Sequence, residues 1–213
     1  MDKNFNYLIK YSIIGDSSVG KSNLATRFIH DKFSDEYHPT SGVLIDSSDL
    51  NLEGKVYRIQ TFDTAEKDVF KENGTLYYKN SACFILVYEI NNRKSFENLS
   101  NWIENFKKSE PKTVLKVLVG NKCDLEEKRE VSEEEGRKFA ENNEMLLFFE
   151  TSAKTGKNVE EVFKQSAALI AKRIEENFYD LESDICGIIK KDEKAFVLGK
   201  KMEKENKKDA WYL

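Results

Sequence analysis

The sequence predicts an α/β fold: a mainly parallel sheet covered by helices on both faces, with one antiparallel strand at its edge. Three observations carry this. Short apolar runs recur along the chain, helical patterns separate them, and one strand–turn–strand pattern interrupts the alternation. Strands covered by helices on both sides read as continuous apolar runs rather than as alternating ones.

The elements follow in order. Tyr7 to Ile14 (YLIKYSII) is a short apolar run ending at Gly15, the signature of a buried strand. Residues 21–29 (KSNLATRFI) read as a helix, with Leu24 and Phe28 four apart on one face. A polar loop with Pro39 spans 30–42. VLIDSSDLNL and VYRIQTFD then flank Glu53-Gly54-Lys55, which predicts a hairpin. Ala82–Tyr88 (ACFILVY), Thr113–Val119 (TVLKVLV) and Met145–Glu150 (MLLFFE) read as further buried strands. Helical stretches lie near 95–108, 132–142 and 158–177. In such sheets ligands bind outside the carboxyl ends of the strands.

The 213 residues suffice for one domain and a tail. The 34 basic and 38 acidic residues give a net charge of −4, so no large basic footprint points to nucleic acid. Cys83, Cys123 and Cys186 are widely spaced and form neither a CxxC pair nor a zinc pattern. Cys83 sits in an apolar run and reads as a packed core thiol. A reducing, cytoplasmic setting suits such cysteines. No signal peptide and no membrane-spanning run is evident.

Directly after the first strand comes GDSSVGKS, residues 15–22, which matches G-x-x-x-x-G-K-[ST] between a strand and a helix. Backbone N–H groups of Ser18, Val19, Gly20, Lys21 and Ser22 are expected to converge on phosphate oxygens, with Ser17 and Asn23 at the margins of the set. The helix N-terminus adds partial positive charge. Gly20 allows close backbone approach, the Lys21 ammonium reaches the outer phosphates, and the Ser22 hydroxyl can ligate magnesium.

A phosphate loop does not choose a base. Asn121-Lys122-Cys123-Asp124, after the strand LKVLVG, offers a carboxylate that can accept from N1 and N2 of guanine. Adenine has no such donor pair and would leave that carboxylate unsatisfied. Lys122 can lay its stem over the base, and Asn121 ties the loop to its neighbours. In Thr151-Ser152-Ala153-Lys154, the Ala153 N–H can donate to guanine O6.

With GDSSVGKS, DEYHPT, DTA, YYKNSACFILVY, NKCDL, REVSEEEGRKFA and ETSAKTGKNVEEVF in this order, the chain resembles the small GTPases of the Ras superfamily over roughly residues 6–177, and within it the Rab branch. The resemblance implies a P-loop NTPase fold with a six-stranded sheet, and GTP or GDP with Mg2+ as ligands. It implies that Phe33 edges the guanine and Tyr37 lies over the phosphates. Thr40 becomes the first-switch threonine, its hydroxyl on magnesium, in a loop ordered by the γ-phosphate. Asp63 matches the carboxylate that holds the metal, usually through water. Metal contacts are thus expected from Ser22, Thr40 and Asp63. Ile45, Phe62 and Tyr77 fall where Rab proteins keep an aromatic, effector-facing triad. His30 and His38 read as exposed loop residues.

After Asp63 the family pattern breaks: where it reads DTAGQE, this chain reads DTAEKD. Glu66 adds a Cβ and a negative charge near a polyanion. Lys67 stands where glutamine orients the attacking water. An amide can accept from water and donate to phosphate at once, whereas an ammonium only donates. Three readings stay open. Lys67 points at the γ-phosphate as a built-in cation; Glu66 and Lys67 turn outward and the loop does not catalyse; or a partner supplies the missing group. All three predict slow intrinsic hydrolysis, against the alternative of an active switch in vesicle traffic whose partners complete the reaction.

The domain is expected to end near 177, with 178–213 as a tail. The tail has no C-a-a-X pattern, and Met-Asp at the start excludes myristoylation, so no direct lipid anchor is expected. Ile185, Ile188, Ile189 and Phe196 can share a helical face, and Trp211-Tyr212-Leu213 can serve as interface anchors. Two readings remain, a hydrated tail partly folded back and a partner-docking segment. By family analogy, effectors or complex subunits at the switch loops and tail place such a protein in a transport, cytoskeletal or ciliary assembly.

Overall fold

In the computed structural model, residues 5–36, 40, 42–64, 80–107 and 113–191 are described. The elements are β1 (Tyr7–Ile14), α1 (Lys21–His30), β2 (Val43–Leu52), β3 (Lys55–Thr64), β4 (Cys83–Glu89), α2 (Arg93–Glu97), α3 (Leu99–Lys107), β5 (Leu115–Asn121), α4 (Glu133–Asn142), β6 (Leu147–Glu150), α5 (Val159–Glu175) and β7 (Ile188–Lys190). The strand order is β2-β3-β1-β4-β5-β6, with β7 paired to β1. β1, β3, β4, β5 and β6 pair in parallel, and β2 runs antiparallel to β3 at the edge.

Each strand explains itself locally. β4 is buried along its whole length, as its unbroken apolar run requires. Ile9, Tyr11 and Ile13 of β1 join one core with Leu24 of α1 and Phe163 and Ile170 of α5. Ile14 joins the opposite core, with Phe84 and Leu86, Leu99 and Trp102 of α3 and Ala140 of α4. The hairpin turns at Glu53 and Gly54, both at positive φ (52° and 80°), the backbone that short antiparallel connections favour. α4 begins in a capping box, in which Ser132 and Glu135 satisfy each other's backbone N–H.

Two features depart from the sequence reading. Ile188 and Ile189 do not share a helical face with Ile185. Ile185 lies in a short 3-10 turn, and Ile188–Lys190 form β7, antiparallel to Tyr7–Ile9 of β1. An apolar run this short fits either period, and an open stretch of β1 backbone decides it. Tyr179, Cys186 and Ile188 are buried in the same core as Tyr11 and Cys83. Gly187 is pressed on the chain entering β4: a Cβ there would lie 2.5 Å from Asn80 O and 2.5 Å from Ala82 N. Phe62 is buried, 2% exposed, with the Lys10 ammonium 4.4 Å above its ring, rather than facing outward for an effector. Phe196 and Trp211-Tyr212-Leu213 lie outside the described residues. Among the described residues, no helix is long and apolar enough to cross a membrane.

Candidate functional site

The described residues of the phosphate-loop, DTA, NKCD and SAK motifs gather at the carboxyl ends of the parallel strands, where Glu89 also lies. Gly15 follows β1, Asp63 lies near the end of β3, Glu89 ends β4, Asn121 ends β5, and Thr151 follows β6.

The loop after β1 turns on three residues at positive φ: Gly15 (140°), Ser18 (66°) and Gly20 (95°). A Cβ on Gly15 would meet Val87 O at 2.1 Å, and one on Gly20 would meet Asn121 Nδ2 at 2.3 Å. No side chain caps the start of α1, which leaves a helix N-terminus of the kind that binds anions. Val19 is fully buried and fastens the loop to the core. Lys21 is buried at 8% exposure, and its ammonium donates to Gly15 O (2.8 Å) and Asp16 O (2.6 Å). The cation is thus held against the loop's own carbonyls.

Ser22, Thr40 and Asp63 meet. Ser22 Oγ donates to Asp63 Oδ2 at 2.5 Å and lies 3.0 Å from Thr40 Oγ1. Burial pushes the Asp63 carboxyl above its ordinary range, against the pull of the Ser22 hydrogen bond, the Lys21 charge and Thr40. Asp63 Oδ1 is buried with no hydrogen-bond partner among the described residues. Two hydroxyls and a carboxylate with an orphaned oxygen form a hard-oxygen set that suits Mg2+ completed by water and phosphate.

The base-side loops are tied by Asn121. Its Nδ2 donates to Val19 O (2.9 Å), and its Oδ1 accepts from Thr151 Oγ1 (3.1 Å) and Ala153 N (3.2 Å). The Ala153 N–H, expected to face a base oxygen, is therefore turned to Asn121 in this structure. Asp124 is exposed, and its Oδ1 accepts from Ser152 Oγ at 2.6 Å. Lys122, at φ 64°, pairs its ammonium with Glu89. Phe33 lies beneath the Lys154 ammonium, 6.0 Å from ring centre to nitrogen. The Asn23 amide does not face the loop but clasps Ser34, donating to Ser34 O (3.1 Å) and accepting from Ser34 N (3.3 Å). His30 ends α1 and places Nε2 2.6 Å from Asp46 Oδ2, a partner that the loop reading did not foresee. Tyr37, His38, Glu66, Lys67 and Tyr77 lie outside the described residues.

Other residues of the site carry no local motif. Asp16, inside the phosphate loop, accepts from Trp102 Nε1 and Asn98 Nδ2, both at 2.7 Å, so the end of α2 and the start of α3 anchor it. Arg27 of α1 donates to Ala153 O and Lys154 O, each at 2.9 Å. These partners are 82 to 127 positions apart in sequence, so no window along the chain reveals them.

The Ras family model matches residues 10–172. Over 173 residues the chain is 42% identical to the Ras-related protein Rab-2B of Dictyostelium discoideum, covering 81% of this chain and 85% of that protein. The chain belongs to the Ras family of small GTPases, as a Rab-like, GTP-binding member.

Proposed function

We propose that this protein binds GTP or GDP with Mg2+, hydrolyses GTP weakly or not at all unaided, and acts as a long-lived GTP-state binding module or complex subunit in the cytoplasm. Family membership supports the guanine nucleotide. One observation carries the finer reading: Glu66 and Lys67 stand where the family keeps glycine and glutamine.

The chemistry follows from what these side chains can do. Ser22, Thr40 and Asp63 would hold the metal, which when bound spreads charge off the phosphate oxygens. The backbone from Ser17 to Asn23 and the Lys21 ammonium would bind the phosphates in ground and transition state alike. Asp124 would accept from the base, and Phe33 would edge it. None of these groups takes a proton from water or aims it. Lys67 can donate but not accept, and Glu66 brings a negative charge, which at 5 Å and an effective dielectric constant of 20 opposes another by about 3 kcal/mol. Binding is served and water positioning is not, so affinity exceeds turnover. Effectors or complex subunits would meet the switch loops and the C-terminal residues.

The test is a single turnover on the full chain. The co-purified nucleotide is identified, the protein is loaded with GTP, and phosphate release is followed. Release at least about tenfold slower than from a Rab protein with the usual glutamine is expected, a barrier difference of about 1.4 kcal/mol. Glu66→Gly with Lys67→Gln should raise the rate. Release as fast as from the comparison protein would sink this reading in favour of an active switch.

A further inference from the structure

We propose that Arg27 is a positioning residue for base recognition: by holding the carbonyls of Ala153 and Lys154 it aims the N–H of Lys154 at the 6-oxygen of guanine. The inference rests on the guanine-nucleotide reading above and assigns a role to a residue outside every motif of the site.

The guanidinium makes four hydrogen bonds. Nε donates to Ala153 O (2.9 Å), Nη2 to Lys154 O (2.9 Å), and Nη1 to both Asp31 O (3.0 Å) and Asp31 Oδ1 (2.9 Å). Asp31 closes α1 at φ 52° and returns its N–H to Arg27 O, so the fork is fixed at its root. The Arg27 side chain is 18% exposed, which strengthens charge-assisted bonds over those in open water.

The bond between Ala153 and Lys154 is trans, as are all described peptide bonds. Its carbonyl and its N–H therefore point in opposite directions. With the carbonyl on Arg27, the Lys154 N–H is driven away from α1, and it has no hydrogen-bond partner among the described residues. The neighbouring Ala153 N–H is engaged by Asn121. Of the two adjacent donors, Lys154 is the one left for a ligand. A cation on the carbonyl also polarises the amide, making that N–H a better donor.

Four positions earlier on the same helix face, Asn23 clasps Ser34, next to Phe33. One face of α1 thus holds both the loop that edges the base and the loop that reads it.

The test uses the full chain, with fluorescently labelled guanosine diphosphate and the matching 6-thioguanosine diphosphate, which keeps the N1 and 2-amino hydrogens but carries a weakly accepting sulfur in place of the 6-oxygen. Wild type should prefer the guanosine form. Arg27→Ala should release guanosine diphosphate about ten- to a hundredfold faster, the effect of one charge-assisted hydrogen bond, and should lose most of the preference. Arg27→Lys, which can reach one carbonyl, should recover part of it and carries the test if the alanine variant does not fold. Equal weakening of both ligands would overturn the inference by reducing Arg27 to a fold contact. Preference unchanged in the variants would overturn it too, leaving guanine binding intact. If wild type binds neither diphosphate, both readings fall together.

Discussion

Asn121 Nδ2 donates to the carbonyl of Val19 at 2.9 Å, joining the base motif to the middle of the phosphate loop. The same side chain accepts from Thr151 and Ala153, so the segments that follow β1, β5 and β6 are tied to one amide. Motifs that the sequence presents as separate share a single amide.

Replacing that amide tests the joint. In Asn121→Ala the Val19 carbonyl, the Thr151 hydroxyl and the Ala153 N–H lose their partner where all three residues are at most 3% exposed. Stability should fall by about 2–4 kcal/mol, a drop in Tm on the order of 10 °C. Nucleotide release should accelerate alongside, read by thermal melts and fluorescence decay. A melt like the wild type's would show that the joint carries little.

Asp63 sets a pH dependence in the nucleotide-free, magnesium-free protein. Its folded carboxyl titrates above the unfolded one because burial opposes charge. Its stabilising contribution is therefore complete below the unfolded value, about 4, and is lost as pH rises through the folded value. Asp63→Asn should raise Tm at pH 7, with the gain shrinking towards pH 4. The same variant should hold nucleotide more weakly in magnesium, which would expose a site kept at the expense of stability.

Gly15→Ala places a methyl 2.1 Å from Val87 O, a main-chain atom of the central strand that cannot swing aside. A loss of about 3 kcal/mol is expected, measured by denaturant melts, together with weakened nucleotide binding.

Gly54 and Gly187 separate backbone strain from crowding. Both lie at positive φ, 80° and 68°. Nothing lies within 4 Å of a Cβ at Gly54, while one at Gly187 meets the 80–82 backbone at 2.5 to 2.7 Å. Alanine at Gly54 should cost about 1 kcal/mol, the conformational penalty alone. Alanine at Gly187 should cost at least about 2 kcal/mol more, by overpacking, unless β7 detaches. Truncation after Asn177, which removes buried Tyr179, Cys186 and Ile188, measures what β7 and its approach contribute.

Much of the fold was legible because parallel strands announce themselves as apolar runs and the turn at Glu53-Gly54 as a hairpin. The phosphate loop was legible because a strand, glycines, a lysine and a helix start are neighbours in sequence. β7 was not, since Ile188 and Ile189 acquire a strand partner only when β1 is already in place. Nor were Arg27, Asp16 and the shape of Tyr88. Tyr88 buries its ring where Gly120 and Gly136 have no side chain, its hydroxyl 2.7 and 2.5 Å from where their Cβ atoms would sit. Such fits are made by folding, between elements, and local periodicity does not encode them.

The seventh strand also decides how the domain bears load. Among the described residues β7 is the last element, paired through three residues with the amino-terminal end of β1, opposite the end that carries the phosphate-loop motif. Force applied at Lys191 would load this short ladder before α5. The ladder would act as a mechanical fuse, giving way before tension reached α5.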